Sequence, residues 1–110
     1  MSKNKDLANM YFDAFSKADL VSVRNSLSDD VSLRDWNLDV SGIESVHRVY
    51  INMFQSLSNI GVNVLRLYEI EDTVIAELII TATEIGSIKV VDILSFDKNE
   101  KIYSIRAYKG

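Results

Sequence analysis

The chain has 110 residues, enough for one domain and too few for two, with 47% hydrophobic and 25% charged positions, the balance of an ordinary globular protein. A net charge of −4 without any Lys/Arg cluster argues against nucleic acid or an anionic membrane as partner. With no cysteine and a single histidine, His47, the chain excludes disulfides, thiolate zinc sites, cysteine nucleophiles and multi-histidine metal sites. It also leaves few options for a Ser-His-Asp triad. No apolar run approaches the roughly 20 residues that span a bilayer. The first residues lead into an amphipathic pattern and not a signal core, so a cytoplasmic protein is expected.

There is no proline, internal repeat or low-complexity tract, so glycine and polar turns punctuate the chain. Residues 4–17 predict a helix in which Leu7, Met10, Tyr11, Ala14, Phe15 and Ala18 recur at helical spacing. Asp19 is placed to cap a second, short helix with Leu20, Val23 and Leu27 as its apolar positions. Ser28-Asp29-Asp30 reads as a turn, residues 31–35 as a short strand and residues 36–40 as a loop. Ser41 and Glu44 have capping-box spacing, which makes Ser41 the predicted cap of a third helix running to about Ser58. That helix carries Ile43, Val46, Tyr50, Met53, Phe54 and Leu57 on one face, with His47 at the stripe's edge in a packing role. From Val62 the period changes to two. Strands are predicted at 62–70, 73–83, 88–96 and 102–108, joined by polar turns.

Three helices and an early strand thus precede a four-strand antiparallel meander, and the helices must cover one face of it. The expected class is a single α+β domain, residues 1–110, with a concave apolar interior. One face of strand 88–96 carries Ile88, Val90, Asp92, Leu94 and Phe96, so a carboxylic acid stands among apolar side chains. If that face is buried, the acid carries a desolvation cost. Lys89, Val91, Ile93 and Ser95 are themselves half apolar, so alternation alone leaves the inward face open. On strand 73–83, inward Val74, Ala76, Leu78, Ile80 and Ala82 would leave Ile75, Glu77, Ile79, Thr81 and Thr83 outside. Two outward isoleucines suggest a partner surface. Arg106 and Tyr108 lie opposite Ile105 and are expected outside as well.

Four segments occur in a familiar order: Ala18-Asp19-Leu20, Leu27-Ser28-Asp29-Asp30-Val31, Gly42-Ile43, and Lys101-Ile102-Tyr103-Ser104-Ile105-Arg106-Ala107. Together they resemble the nuclear transport factor two-like superfamily, which includes SnoaL-like proteins and ketosteroid isomerases. The resemblance covers nearly the whole chain. It implies a cone-shaped roll of three N-terminal helices packed on a curved, mainly antiparallel sheet (cystatin-like). Within the superfamily the chain is most similar to the ketosteroid isomerases. Their first-helix tyrosine falls on Tyr11, their general-base aspartate on Asp35 and their second aspartate, on the penultimate strand, on Asp92. Departures are Trp36 where proline is usual, a shorter loop to Gly42 and a tighter hairpin at residues 84–87. These shape the pocket mouth and bear on the substrate more than on the chemistry.

The resemblance implies proton transfer alpha to the carbonyl of a small hydrophobic, steroid-like compound, without metal or organic cofactor. Asp35 would be the base, and Tyr11 and a protonated Asp92 would donate to the developing oxyanion. Phe15, Trp36, Tyr50, Phe54, Leu78, Ile80, Val90, Leu94 and Ile105 are the expected ligand-binding residues. Relatives commonly dimerise through the outer sheet face, so a homodimer is expected. Each residue also has a plainer role: Tyr11 as a packed helix-face ring, Asp35 as a turn former, Trp36 as lid or loop anchor. A non-catalytic ligand-binding or dimerisation module is therefore the alternative, because a fold does not fix its function. A third option is another SnoaL-like enzyme, a cyclase or an epoxide hydrolase. The Asp-Arg-Asp set of the latter has no match here, since Arg66 and Glu69 have the wrong spacing.

Overall fold

The computed structural model describes residues 2–110. Helix α1 (Lys3–Ser16) starts at Ser2, whose hydroxyl accepts from the Lys5 N–H. It buries Ala8, Tyr11, Phe12 and Ala14, while Met10 is 65% exposed. The buried face is thus rotated from the predicted stripe toward Phe12, because α1 packs on the sheet on one side and on α2 on another. Helix α2 (Leu20–Asn25) is capped by the Asp19 carboxylate, which accepts from the Ser22 N–H and Oγ.

Strand β1 (Leu27–Arg34) includes residues 28–30, where a turn was expected. It runs parallel to β6 (Ile102–Lys109), with a break in register between Leu27 and Ser32 that accommodates the polar triplet. A three-residue strand, β2 (Asp39–Ser41), antiparallel to β1, begins within the predicted loop and ends on the predicted cap residue. Ser41 therefore ends a strand and caps nothing. Gly42, at φ +89°, occupies the cap position of α3 (Ile43–Ser56), and among the described residues no side chain caps that helix. Glu44, freed from the capping box, accepts instead from Arg24 Nη2 at 2.7 Å.

The meander follows as β3 (Gly61–Ile70), β4 (Thr73–Ala82), β5 (Gly86–Phe96) and β6. The sheet order is β2-β1-β6-β5-β4-β3, antiparallel except for β1/β6, and the sheet is curved and unclosed. Register settles which face is inward. Val74 pairs with Leu94, Ala76 with Asp92 and Leu78 with Val90, and these residues are buried against the helices. Val23, Val46 and Tyr50 from the helices meet Val31, Leu94, Ile102 and Ile105 from the sheet in one core. Each of the aliphatic side chains among them contributes about 1.5–3 kcal/mol on burial. Among the described residues, no helix is long and apolar enough to cross a membrane.

Candidate functional site

Three rungs of the inward face build the site. Leu94, Ile105 and Leu33 form the innermost, paired across β5, β6 and β1. Asp92 and Ala107 begin the next. Asp35 follows Arg34, the parallel partner of Arg106, so it lies level with Ala107. The two carboxylates therefore stand two strands apart, roughly 10 Å along the hydrogen-bonding direction. Val90 and Lys109 form the third rung. The middle rung is small: Ala76 and Ala107 flank Asp92 on its two neighbouring strands. That leaves room above the acid.

The room is a cavity of about 570 Å³. Its polar groups are Tyr11, Tyr50 and Asp92, all at most 8% exposed, and Asp35, Asn37, Trp36 and Lys109, which are half-buried or exposed. Burial thus grades the lining from a closed end to an open mouth. Apolar walls come from Phe15, Leu33, Leu38, Met53, Leu57, Ile80, Ile85, Ile88, Val90, Ile105 and Ala107.

At the closed end the Tyr11 and Tyr50 hydroxyls hydrogen-bond each other, and either can donate. Their rings meet edge to face at 6.4 Å, and Phe15 packs on both. Burial raises the pKa of Tyr50 and lifts that of Tyr11 well above the usual tyrosine value. Both hydroxyls keep their protons at neutral pH. One proton is used within the pair, which leaves one for a ligand.

Asp92 is 8% exposed, and burial, followed by the charge of Asp35, pushes its pKa from 3.8 up to about 7. Near neutral pH it is therefore an acid as often as an anion, and as an acid it donates. Asp35 has a second task. Its Oδ1 accepts from the Asn37 N–H at 2.7 Å and the Leu38 N–H at 3.0 Å, folding the loop that carries Trp36. The other oxygen is not used by that turn. Lys109 Nζ lies 5.9 Å from the centre of the Trp36 ring.

Of the residues expected at the site, Tyr11, Asp35, Asp92, Phe15, Trp36, Tyr50, Ile80, Val90 and Ile105 lie on this one cavity. Phe54, Leu78 and Leu94 do not line it. Leu78 and Leu94 are buried in the core and Phe54 packs against it, stacked edge-on to Phe15. Met53 and Leu57 were readable on the apolar stripe of α3, and Ile88 and Ala107 on the strand faces of Asp92 and Ile105. Lys109 shares the parity of Ile105 and Ala107, and that parity is its only sequence signal. A second groove of about 480 Å³ lies between α1, α2 and the β5–β6 turn. Its charges are already engaged, with Lys17 on Asp13, Glu100 on Lys3 and Lys101 on the Asn25 carbonyl.

The profile of the SnoaL-like domain family matches residues 8–105. The chain belongs to that family. Solved structures similar to it include a provisionally assigned ketosteroid isomerase from Kribbella flavida, 15% identical over 97% of this chain and 77% of that one, with a TM-score of 0.84. A provisionally assigned polyketide cyclase from Sinorhizobium meliloti is 16% identical over 93% of each chain, with a TM-score of 0.83. An LEH-like epoxide hydrolase from M. tuberculosis is 17% identical over 96% of this chain and 80% of that one, at 0.81. At these identities the likeness is one of fold. None of the curated proteins matches the chain significantly.

Proposed function

We propose that this SnoaL-like domain is an isomerase of the ketosteroid type, moving a proton alpha to the carbonyl of a small hydrophobic compound. The observation that carries this reading is Asp92: a buried acid with a pKa of about 7, in one cavity with a tyrosine pair and, two strands away, a second carboxylate. A carbonyl oxygen at the closed end receives the remaining tyrosine proton and the proton of Asp92. Asp35, through the oxygen its turn does not use, removes the alpha proton. In a β,γ-unsaturated ketone the electron pair of the broken C–H bond forms the new alpha–carbonyl double bond and the carbonyl π pair moves onto oxygen, which gives a dienolate held by preplaced donors and open to reprotonation at its gamma carbon. The same proton returns from Asp35 to a different carbon, so nothing is consumed.

Asp35→Asn tests the base. The Asn side-chain oxygen still accepts from Asn37 and Leu38, so the loop keeps its shape and only the charge is lost. With β,γ-unsaturated ketones from one ring to four, followed by conjugated-enone absorbance, turnover is expected to fall about 10²–10⁴-fold. Ligand affinity is expected to stay within a few-fold. Undiminished turnover in this variant removes Asp35 as base. The engagement of Asp35 in its turn favours one second reading, a non-catalytic binding module, in which the wild type binds the same ketones and turns none over. In either case we propose that the chain forms a homodimer through the outer sheet face.

A further inference from the structure

We propose that the ligand is an amphiphile: its carbonyl lies at Asp92, and its far end carries a carboxylate or similar anion, held at the mouth by Lys109 against Trp36. This rests on the carbonyl-binding reading of the cavity above and names the substrate class within it.

The sheet register carries the argument. Residues 105, 107 and 109 of β6 alternate into the cavity, so Lys109 stands one inward position beyond Ala107, the partner of Asp92. Two residues of strand separate their levels by about 7 Å, a span that one ring with para substituents bridges. Lys109 is the only cationic residue among those lining the cavity. Among the described residues no carboxylate pairs with it. Its ammonium lies over the Trp36 face instead, an arrangement that keeps the charge at the mouth while the ring closes one side. Asp35 sits one inward level deeper than Lys109 and has one oxygen tied to its own loop. A wholly apolar ligand gains nothing from that cation. An anionic tail matches it and places the reactive carbonyl in register with the acid.

The probes are 4-acetylbenzoate and its neutral analogue 4-acetylbenzamide, titrated by calorimetry and by NMR. Trp36 is the only tryptophan, so its indole N–H signal reports occupancy of the mouth without ambiguity. The benzoate is expected to bind about tenfold tighter than the amide, to shift the Trp36 indole, and to lose that advantage as salt is raised. Lys109→Gln is expected to erase the preference while leaving amide affinity within twofold, and Lys109→Arg to retain it. Lys109 is exposed near the end of a strand, and circular dichroism checks that the fold is unchanged. Equal binding of both probes, or a preference that survives Lys109→Gln, overturns the anion site and leaves the carbonyl cavity standing. Failure of both probes to bind, with no shift at Trp36 or at the Asp92 carboxyl carbon, overturns the cavity reading and this proposal with it.

Discussion

Asp92 links the chemistry of single residues to stability. Its native pKa of about 7 lies above the ordinary aspartate value of 3.8. Between those values the folded state holds a proton that the unfolded state has released. Stability therefore falls as pH rises from about 4 to 7, and the full penalty, about 4 kcal/mol, is present above that window. The exposed carboxylates Asp19, Glu44, Asp72 and Glu84 act the other way. Hydrogen bonds from Ser22, Arg24, Thr73 and Ser58 hold them below their usual values, so their contribution is lost only as pH falls below about 4. Thermal melts of the wild type are expected to decline from pH 5 to pH 8, and those of Asp92→Asn to be flatter and higher at pH 8. Parallel profiles for the two proteins exclude the buried acid. Alternation singled out Asp92 in the sequence, whereas Tyr11 and Asp35 came from the family resemblance. The Tyr11–Tyr50 hydrogen bond was illegible. The two residues are 39 positions apart, and their contact depends on where the sheet and α2 place α1 and α3.

At the scale of elements, the entry to α3 separates sequence pattern from structure. Ser41 and Glu44 have capping-box spacing, yet the strand β2 claims Ser41 and pairs it with Ser32. Gly42 then makes the turn into the helix at φ +89°, ψ 145°, a region that side chains avoid. A Cβ there would meet nothing within 4 Å, so the cost of adding one is backbone strain alone. Gly42→Ala is expected to lower stability by about 1–3 kcal/mol in urea unfolding. Ser41→Ala is expected to change it by less than about 0.5 kcal/mol, as an exposed position without special contacts. A loss of about 1 kcal/mol at Ser41, the usual effect of deleting an N-cap, restores the capping box. The meander was readable because four strands in a row kept period two, each bounded by polar turns. Strand β2 was not, since three residues are too few to show a period. The start of β1 is not legible because its polar triplet looks like a turn and lies in a break of the parallel pairing with β6, a strand more than 70 positions later.

At the scale of the molecule, the helices cover one side of the sheet and leave the other bare. Across that outer face run Tyr68, Ile75, Ile93, Arg106 and Arg34 in register, with Arg66, Glu77, Val91 and Tyr108 in the next row. Ile75, Ile79, Val91 and Ile93 are only half-buried, and Tyr68 and Tyr108 are 41% and 49% exposed. Arg106 Nε is buried without a hydrogen-bond partner among the described residues, a cost that a second surface can remove. The molecule measures 36 × 30 × 23 Å, so a face of this extent is large enough for the roughly 800 Å² per partner of a standard interface. Light scattering at micromolar concentration is expected to give twice the chain mass of 12.5 kDa. Ile75→Lys and Ile79→Lys, which set like charges against each other across a twofold axis, are expected to give monomers. Both side chains point away from the cavity, so these variants should bind ketone probes within a few-fold of the wild type. Wild-type protein that scatters only as a monomer removes the interface. Monomeric variants that also lose the ligand would show that the bare side of the sheet holds the Asp92 rung in shape, and the two faces would then have to be treated as one coupled unit.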